Sequence, residues 1–117
     1  MINVHFKNNN ITELELSGEV TAQDYEKITP KIEKRFSDNG PQKFIFLMKN
    51  PKFTLGAALA DIKFDLLHFK NIGKTAIVGK SGLIKGITKF VNILYPVKVK
   101  HFKRRDAGLA WLRSVSP

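Results

Sequence analysis

The chain has 117 residues, 43% of them hydrophobic and 26% charged, with nine Phe, which fits one globular domain with a real core. Its net charge of +10 invites anionic partners, and the lack of cysteine excludes disulfides and thiolate zinc sites. No run approaches the ~18 to 20 apolar residues that span a bilayer, and "MINVHFKNNN" has no apolar signal core, so a single cytoplasmic domain over residues 1–117 is expected.

Ile2, Val4 and Phe6 alternate with polar residues and predict a short strand. The turn signal "KNNN" and the apolar Ile11, Leu14 and Leu16 predict an antiparallel partner, closed by Gly18. "VTAQDYEKITPKIEKRFSDNG", residues 20–40, reads as a helix. Thr21 is its expected N-cap, with Asp24 completing an acidic capping box and Val20 and Tyr25 at staple positions. Tyr25, Ile28, Ile32 and Phe36 make one apolar stripe, Pro30 within it predicts a kink, and Asn39-Gly40-Pro41 is the stop.

"FIFLM", residues 44–48, is a continuous apolar run of the kind that forms a central strand buried on both faces. "KNPKFTLG" reads as a loop. Leu55, Leu59, Ile62, Leu66 and Phe69 step by four and three, which predicts a second amphipathic helix with this stripe inward and Gly73 at its end. Residues 75–78 read as a strand. A third helix is expected with Leu83, Ile84, Ile87, Val91 and Leu94 on one face, Lys85 and Lys89 on the other, and Pro96 as its stop. "VKVKHF", residues 97–102, predicts an edge strand with Lys98 and Lys100 on one face and Val97 and Val99 on the other. "RDAGLAWL" predicts a last helix with Ala107, Ala110 and a largely buried Trp111 facing inward. The order β-β-α-β-α-β-α-β-α implies an α/β fold, a five-stranded mixed sheet with about four helices.

Gly79-Lys80-Ser81 has the wording with which a nucleotide-binding phosphate loop ends. The spacing fails: residue 74, where the first Gly belongs, is Lys, and Thr75, Ala76, Ile77 and Val78 are strand formers rather than a loop. Nucleotide binding is not expected there.

The sequence resembles the SpoIIAA-like proteins of the STAS superfamily, whose fold is related to the Sec14 lipid-transfer domain. "LSGEVTAQDYEKITPKIEK" resembles the family's opening strand, turn and proline-containing helix. "LGAALADIKFDLLHFKNIGKTAIVG" resembles its second helix and fourth strand, and "VKHFKRRDAGLAWL" its last strand and helix. The resemblance implies a non-catalytic binding or regulatory module. The founding sporulation protein antagonises an anti-sigma factor and is switched by phosphorylation of a serine just before a glycine at the start of the second helix. The matching residue before Gly56 is Leu55, which has no hydroxyl, so Thr54 one place earlier is the phospho-switch candidate. An N-cap role explains Thr54 equally well.

No catalytic constellation stands out among His5, His68 and His101, and no enzyme activity, cofactor or metal is expected. Asp61 and Asp65 lie one helical turn apart, with His68 three residues on. Such spacing can hold a metal, although a solvated helix face is its commoner origin. The charge is uneven: residues 1–60 hold eight Lys/Arg against seven Asp/Glu, residues 61–117 twelve against three. Lys80, Lys85, Lys89, Lys98, Lys100 and Arg104 are therefore a candidate basic surface for anionic lipid or nucleic-acid phosphates. Nucleic acid is disfavoured, because neither an RNA-binding aromatic motif nor a helix-turn-helix accompanies the charge. Phe53, Phe64, Leu83, Ile84, Phe90, Leu94 and Tyr95 are more apolar than one buried stripe requires. They are the candidate site for a small hydrophobic ligand, a protein partner or a homodimer.

Overall fold

The structure, a computed structural model, describes residues 1–79 and 98–114. Its elements are β1 (Ile2–Lys7), β2 (Ile11–Val20), α1 (Ala22–Asn39), β3 (Gln42–Phe53), α2 (Leu55–His68), a 3-10 turn (Phe69–Asn71), β4 (Ile72–Val78), β5 (Val99–Phe102) and α3 (Arg105–Arg113). They form a five-stranded sheet of order β1-β2-β3-β4-β5, antiparallel between β1 and β2 and parallel elsewhere. This is the expected mixed α/β sheet, with three helices described where about four were expected. The helix expected over residues 83–94 lies outside the described residues.

Asn9 and Asn10 turn the β1–β2 hairpin with φ of 65° and 57°, values that Asn tolerates better than most residues. Gly18 does not close β2. It sits at φ 59° where the β2–β3 register shifts: Ser17 pairs with Lys49 and Glu19 with Lys52, so β2 continues and the extra residue falls on β3, where Asn50 has φ 49°. β3 likewise outruns its apolar core: Lys52 and Phe53 pair with Glu19 and Val20, drawing the expected loop into the sheet. Gly73 lies within β4, not at a helix end.

α1 and α2 cover one face of the sheet. Tyr25, Ile28, Ile32 and Phe36 of α1 are buried, as their spacing predicts, against Leu14, Leu16, Phe44 and Ala57. The Thr21–Asp24 capping box is present, and the helix is continuous through Pro30. α3 covers the other face, where Leu109 and Leu112 join Ile11, Ile45, Leu47, Ala76 and Val78.

Two helices present faces other than those expected. In α2, Leu55 and Leu59 are 77% and 60% exposed, while Ala57 is fully buried and Phe64 packs against α1. The side chains of Ile62, Leu66 and Phe69 lie outside the described set. Ala57 and Phe64, seven residues apart and so on one face of α2, are the residues that pack into the core with α1, which turns Leu55 and Leu59 outward. In α3, Ala107 and Ala110 are exposed and Trp111 is only half-buried; Gly108, Leu109 and Leu112 face the sheet. A Cβ on Gly108 would lie 3.3 Å from both Ile45 Cδ1 and Val78 Cγ2, which shows how closely the backbone of α3 rides on the sheet.

At the starts of the parallel strands, buried Gln42 ties three elements together. Its Oε1 accepts from Thr12 Oγ1 and Arg35 Nε at 3.1 Å each, and its Nε2 donates to Gly40 O and Pro41 O. Arg35 also donates to Lys7 O at 2.8 Å, which locks the end of α1 onto the hairpin. Nothing in the sequence pattern marked Gln42.

Candidate functional site

β2, β3 and β4 end along one edge, the edge where open α/β sheets gather ligands. Two helix N-termini open there side by side. Asp24 N donates to Thr21 Oγ1 at 3.3 Å and Thr21 N to Asp24 Oδ2 at 2.8 Å. The backbone N–H of Thr21 is the main cause of holding the Asp24 carboxyl below its ordinary range. Thr54 N donates to Val20 O at 3.0 Å, while Thr54 Oγ1 accepts from Ala57 N at 3.1 Å. Thr54 therefore caps α2. Thr54→Ala should lower stability by about 1 kcal/mol, and Thr54→Asp, which keeps an acceptor, should lower it less. Urea midpoints check this; equal midpoints for native and Thr54→Ala protein would deny the cap.

A cleft of about 380 Å³ runs between α1 and α2, with Tyr25, Thr29, Phe64, Leu67 and His68 among its walls. The His68 ring lies 4.6 Å from Phe64 and 5.6 Å from Phe36 by centroids, and its Nε2 is 3.2 Å from Glu33 Oε2. Beside the cleft, burial pushes the Tyr25 hydroxyl up, aided by the charge and hydrogen bond of Asp61. Burial likewise raises Asp61, against the hydrogen bond from Tyr25, and raises Asp65 to about 7 with the charge of Asp61 second. These carboxyls thus lie in the packing of α2 rather than on a freely solvated face. Among the described residues no three His, Asp or Glu side chains converge as metal ligands.

The predicted site residues divide. Phe53 is 44% exposed at the end of β3, whereas Phe64 lies in the α1–α2 packing. Leu83, Ile84, Phe90, Leu94 and Tyr95 lie outside the described residues, as do Lys80, Lys85 and Lys89. Lys98 and Lys100 are exposed at β5. Arg104 is the residue preceding α3 and pairs with Asp106 at 2.9 Å, so its charge is locally answered. Leu55 and Leu59 of α2 were missed as surface residues because they fit the spacing of a buried stripe, and the exposed Leu67 lies outside that stripe.

A sheet wrapped by helices, with capped N-termini at the strand ends and a cleft between two helices, defines an α/β module suited to binding. The chain belongs to the SpoIIAA-like family, whose sequence model matches residues 11–113. Among solved structures it is similar to an uncharacterised DUF3478-family protein with a SpoIIAA-like fold from Shewanella loihica PV-4. That match has a TM-score of 0.81 and 24% identity over 96% of this chain and 92% of the other. It is similar also to the anti-sigma factor antagonist SpoIIAA in its unphosphorylated form, with a TM-score of 0.65 and 13% identity over 98% and 100% of the two chains. The Bacillus cell fate determinant SpoIIAA in its phosphorylated form matches with a TM-score of 0.62 and 13% identity over 97% and 100%. No curated protein matches the sequence. Among the described residues no helix is long and apolar enough to cross a membrane.

Proposed function

We propose that the chain is a non-catalytic regulatory module that binds a protein partner through the strand-end edge and the outer face of α2. The supporting observation is the exposed apolar start of α2, where Leu55 and Leu59 are one helical turn apart and 77% and 60% exposed, just after the 44% exposed Phe53 in sequence. The fold it shares with an anti-sigma factor antagonist fits a module that works by occupying another protein. A helix offering leucines at such spacing suits helix-to-groove or helix-to-helix contact. Thr54, at the head of this helix, is where a phosphate would interact well with the helix N-terminus and alter partner affinity.

A photo-crosslinking residue at position 59 should yield discrete protein adducts in cells, and one at position 34, on the exposed side of α1, should not. Leu55→Asp should abolish the adducts without unfolding the chain. Adducts equal at both positions would sink the reading. The cleft between α1 and α2 supports a second reading, a small apolar or lipid-like ligand lodged beside Phe64. Native mass spectrometry distinguishes the two: a retained small mass points to the cleft, a doubled mass to a homodimer.

A further inference from the structure

The sheet has two edges, β1 and β5. β5 is four residues long and carries Lys100, a charge of the kind that keeps edge strands from pairing. β1 lacks such guards: Ile2–Phe6 contains no Pro and no Lys, and its register with β2 runs without a shift. Met1 N donates to Ser17 O at 2.8 Å and Ser17 N to Met1 O at 3.0 Å, so Met1 and Ser17 form a hydrogen-bonded pair. Such pairs alternate along an antiparallel ladder, which makes Asn3–Glu15, His5–Glu13 and Lys7–Ile11 the others. The N–H and C=O groups of Ile2, Val4 and Phe6 therefore point away from β2, to the open edge. Among the described residues none of these groups has a hydrogen-bond partner. The Phe6 side chain beside them is 41% exposed.

One flank of this edge is cationic. Asp24, Ile28, Lys31 and Arg35 follow one another at steps of four, three and four along one side of α1. Asp24 Oδ2 lies 3.6 Å from Met1 N at one end of β1. At the other end Arg35 donates to Lys7 O at 2.8 Å and stands 5.2 Å over the Phe6 ring. The stripe thus runs alongside β1, with exposed Lys31 between its ends and exposed Lys27 one turn before Lys31. The carboxylates nearby are engaged: Asp24 accepts from Thr21 N, Glu13 from Arg105, and Glu15 lies 3.3 Å from Lys49. Among the described residues Lys27 and Lys31 have no such partner, and like charges one helical turn apart repel. A second copy paired antiparallel at this edge would bring its own Lys27 and Lys31 to the same side, with a further net charge of +10. An acidic strand answers these charges instead.

We propose that the open edge of β1 is a docking site for an extended acidic segment of a partner protein, which adds to the sheet as a further strand. Its backbone pairs with Ile2, Val4 and Phe6, and its carboxylates meet Lys27 and Lys31. The cleft toward α2 lies on the opposite flank of α1, along Ala22, Thr29 and Glu33, so the site stands or falls independently of the partner surface on α2.

The probe is a dye-labelled eight-residue peptide of alternating Val and Glu. At low salt it should bind saturably by fluorescence anisotropy. Hydrogen exchange should slow at the amides of Val4 and Phe6 in the complex, whereas those of Asn3 and His5 are already slow in the chain alone. A peptide of alternating Val and Lys should not bind, nor should the Val-Glu peptide with a central Pro. Val4→Pro removes an outward N–H where an edge strand accepts proline, and it should abolish binding. Lys31→Glu should weaken binding about fivefold, the exchange of an attractive exposed pair for a repulsive one. Lys63→Glu, at an exposed lysine of α2, should bind like the native chain. Far-UV spectra check folding; where Val4→Pro does not fold, Lys31→Glu and the exchange pattern decide. The proposal is overturned if the Val-Lys peptide binds equally well, if Lys31→Glu binds like the native chain, or if the Val4 and Phe6 amides stay unprotected. Sedimentation of the chain alone as a dimer with those amides protected would assign the edge to a second copy and equally overturn it.

Discussion

Leu112→Ala is expected to destabilise the chain by about 2 to 5 kcal/mol, the range for truncating a fully buried leucine. Leu112 has no exposed surface and packs, with Leu109, on Ile11, Ile45, Leu47, Ala76 and Val78. Among the described residues α3 is the cover of that face, and the close ride of Gly108 on the sheet leaves the helix little freedom to sink into a cavity. Trp111→Ala should cost less, because the indole is only half-buried and packs beside Phe102 rather than beneath the helix. Urea denaturation of the two variants decides the order. A Leu112→Ala midpoint equal to that of the native chain would contradict the docking of α3.

Asp65→Asn is expected to stabilise the protein at alkaline pH. Burial, followed by the charge of Asp61, raises the Asp65 carboxyl from 3.8 to about 7. Tyr25, its hydroxyl also pushed up by burial, faces the same pair from α1, with Asp24 the residue just before it. A carboxyl raised on folding holds a proton that the unfolded chain has already released. Its stabilising contribution is full below the unfolded value of 3.8 and is lost as pH rises through about 7. At about pH 8 the native fold carries a desolvated, repelled carboxylate, and replacing it with Asn should add on the order of 2 kcal/mol. That figure is below full conversion of the shift, because the carboxyl keeps some contact with water and shares its titration with Asp61. Near pH 4 the substitution should be close to neutral. Melting curves at the two pH values test the sign: an equal effect at both would show that Asp65 does not titrate abnormally.

The sequence by itself determined much of the element order, the Thr21–Asp24 cap and the inward stripe of α1, because these depend on periodicity and contacts a few residues apart. It also identified residues 75–78 as strand formers, and they lie in β4. Tertiary structure alone decided which face of α2 is buried. Leu55 and Leu59 and the Ala57–Phe64 face are all apolar, and only the packing of α2 on α1 and the sheet selects Ala57 and Phe64 for the core. The same holds for α3, where Gly108 has no side chain to register in a hydrophobic pattern yet sets the contact that turns Leu109 and Leu112 inward. Gln42 was equally illegible, because its partners Thr12 and Arg35 stand on other elements and meet it only when the strands and α1 are assembled.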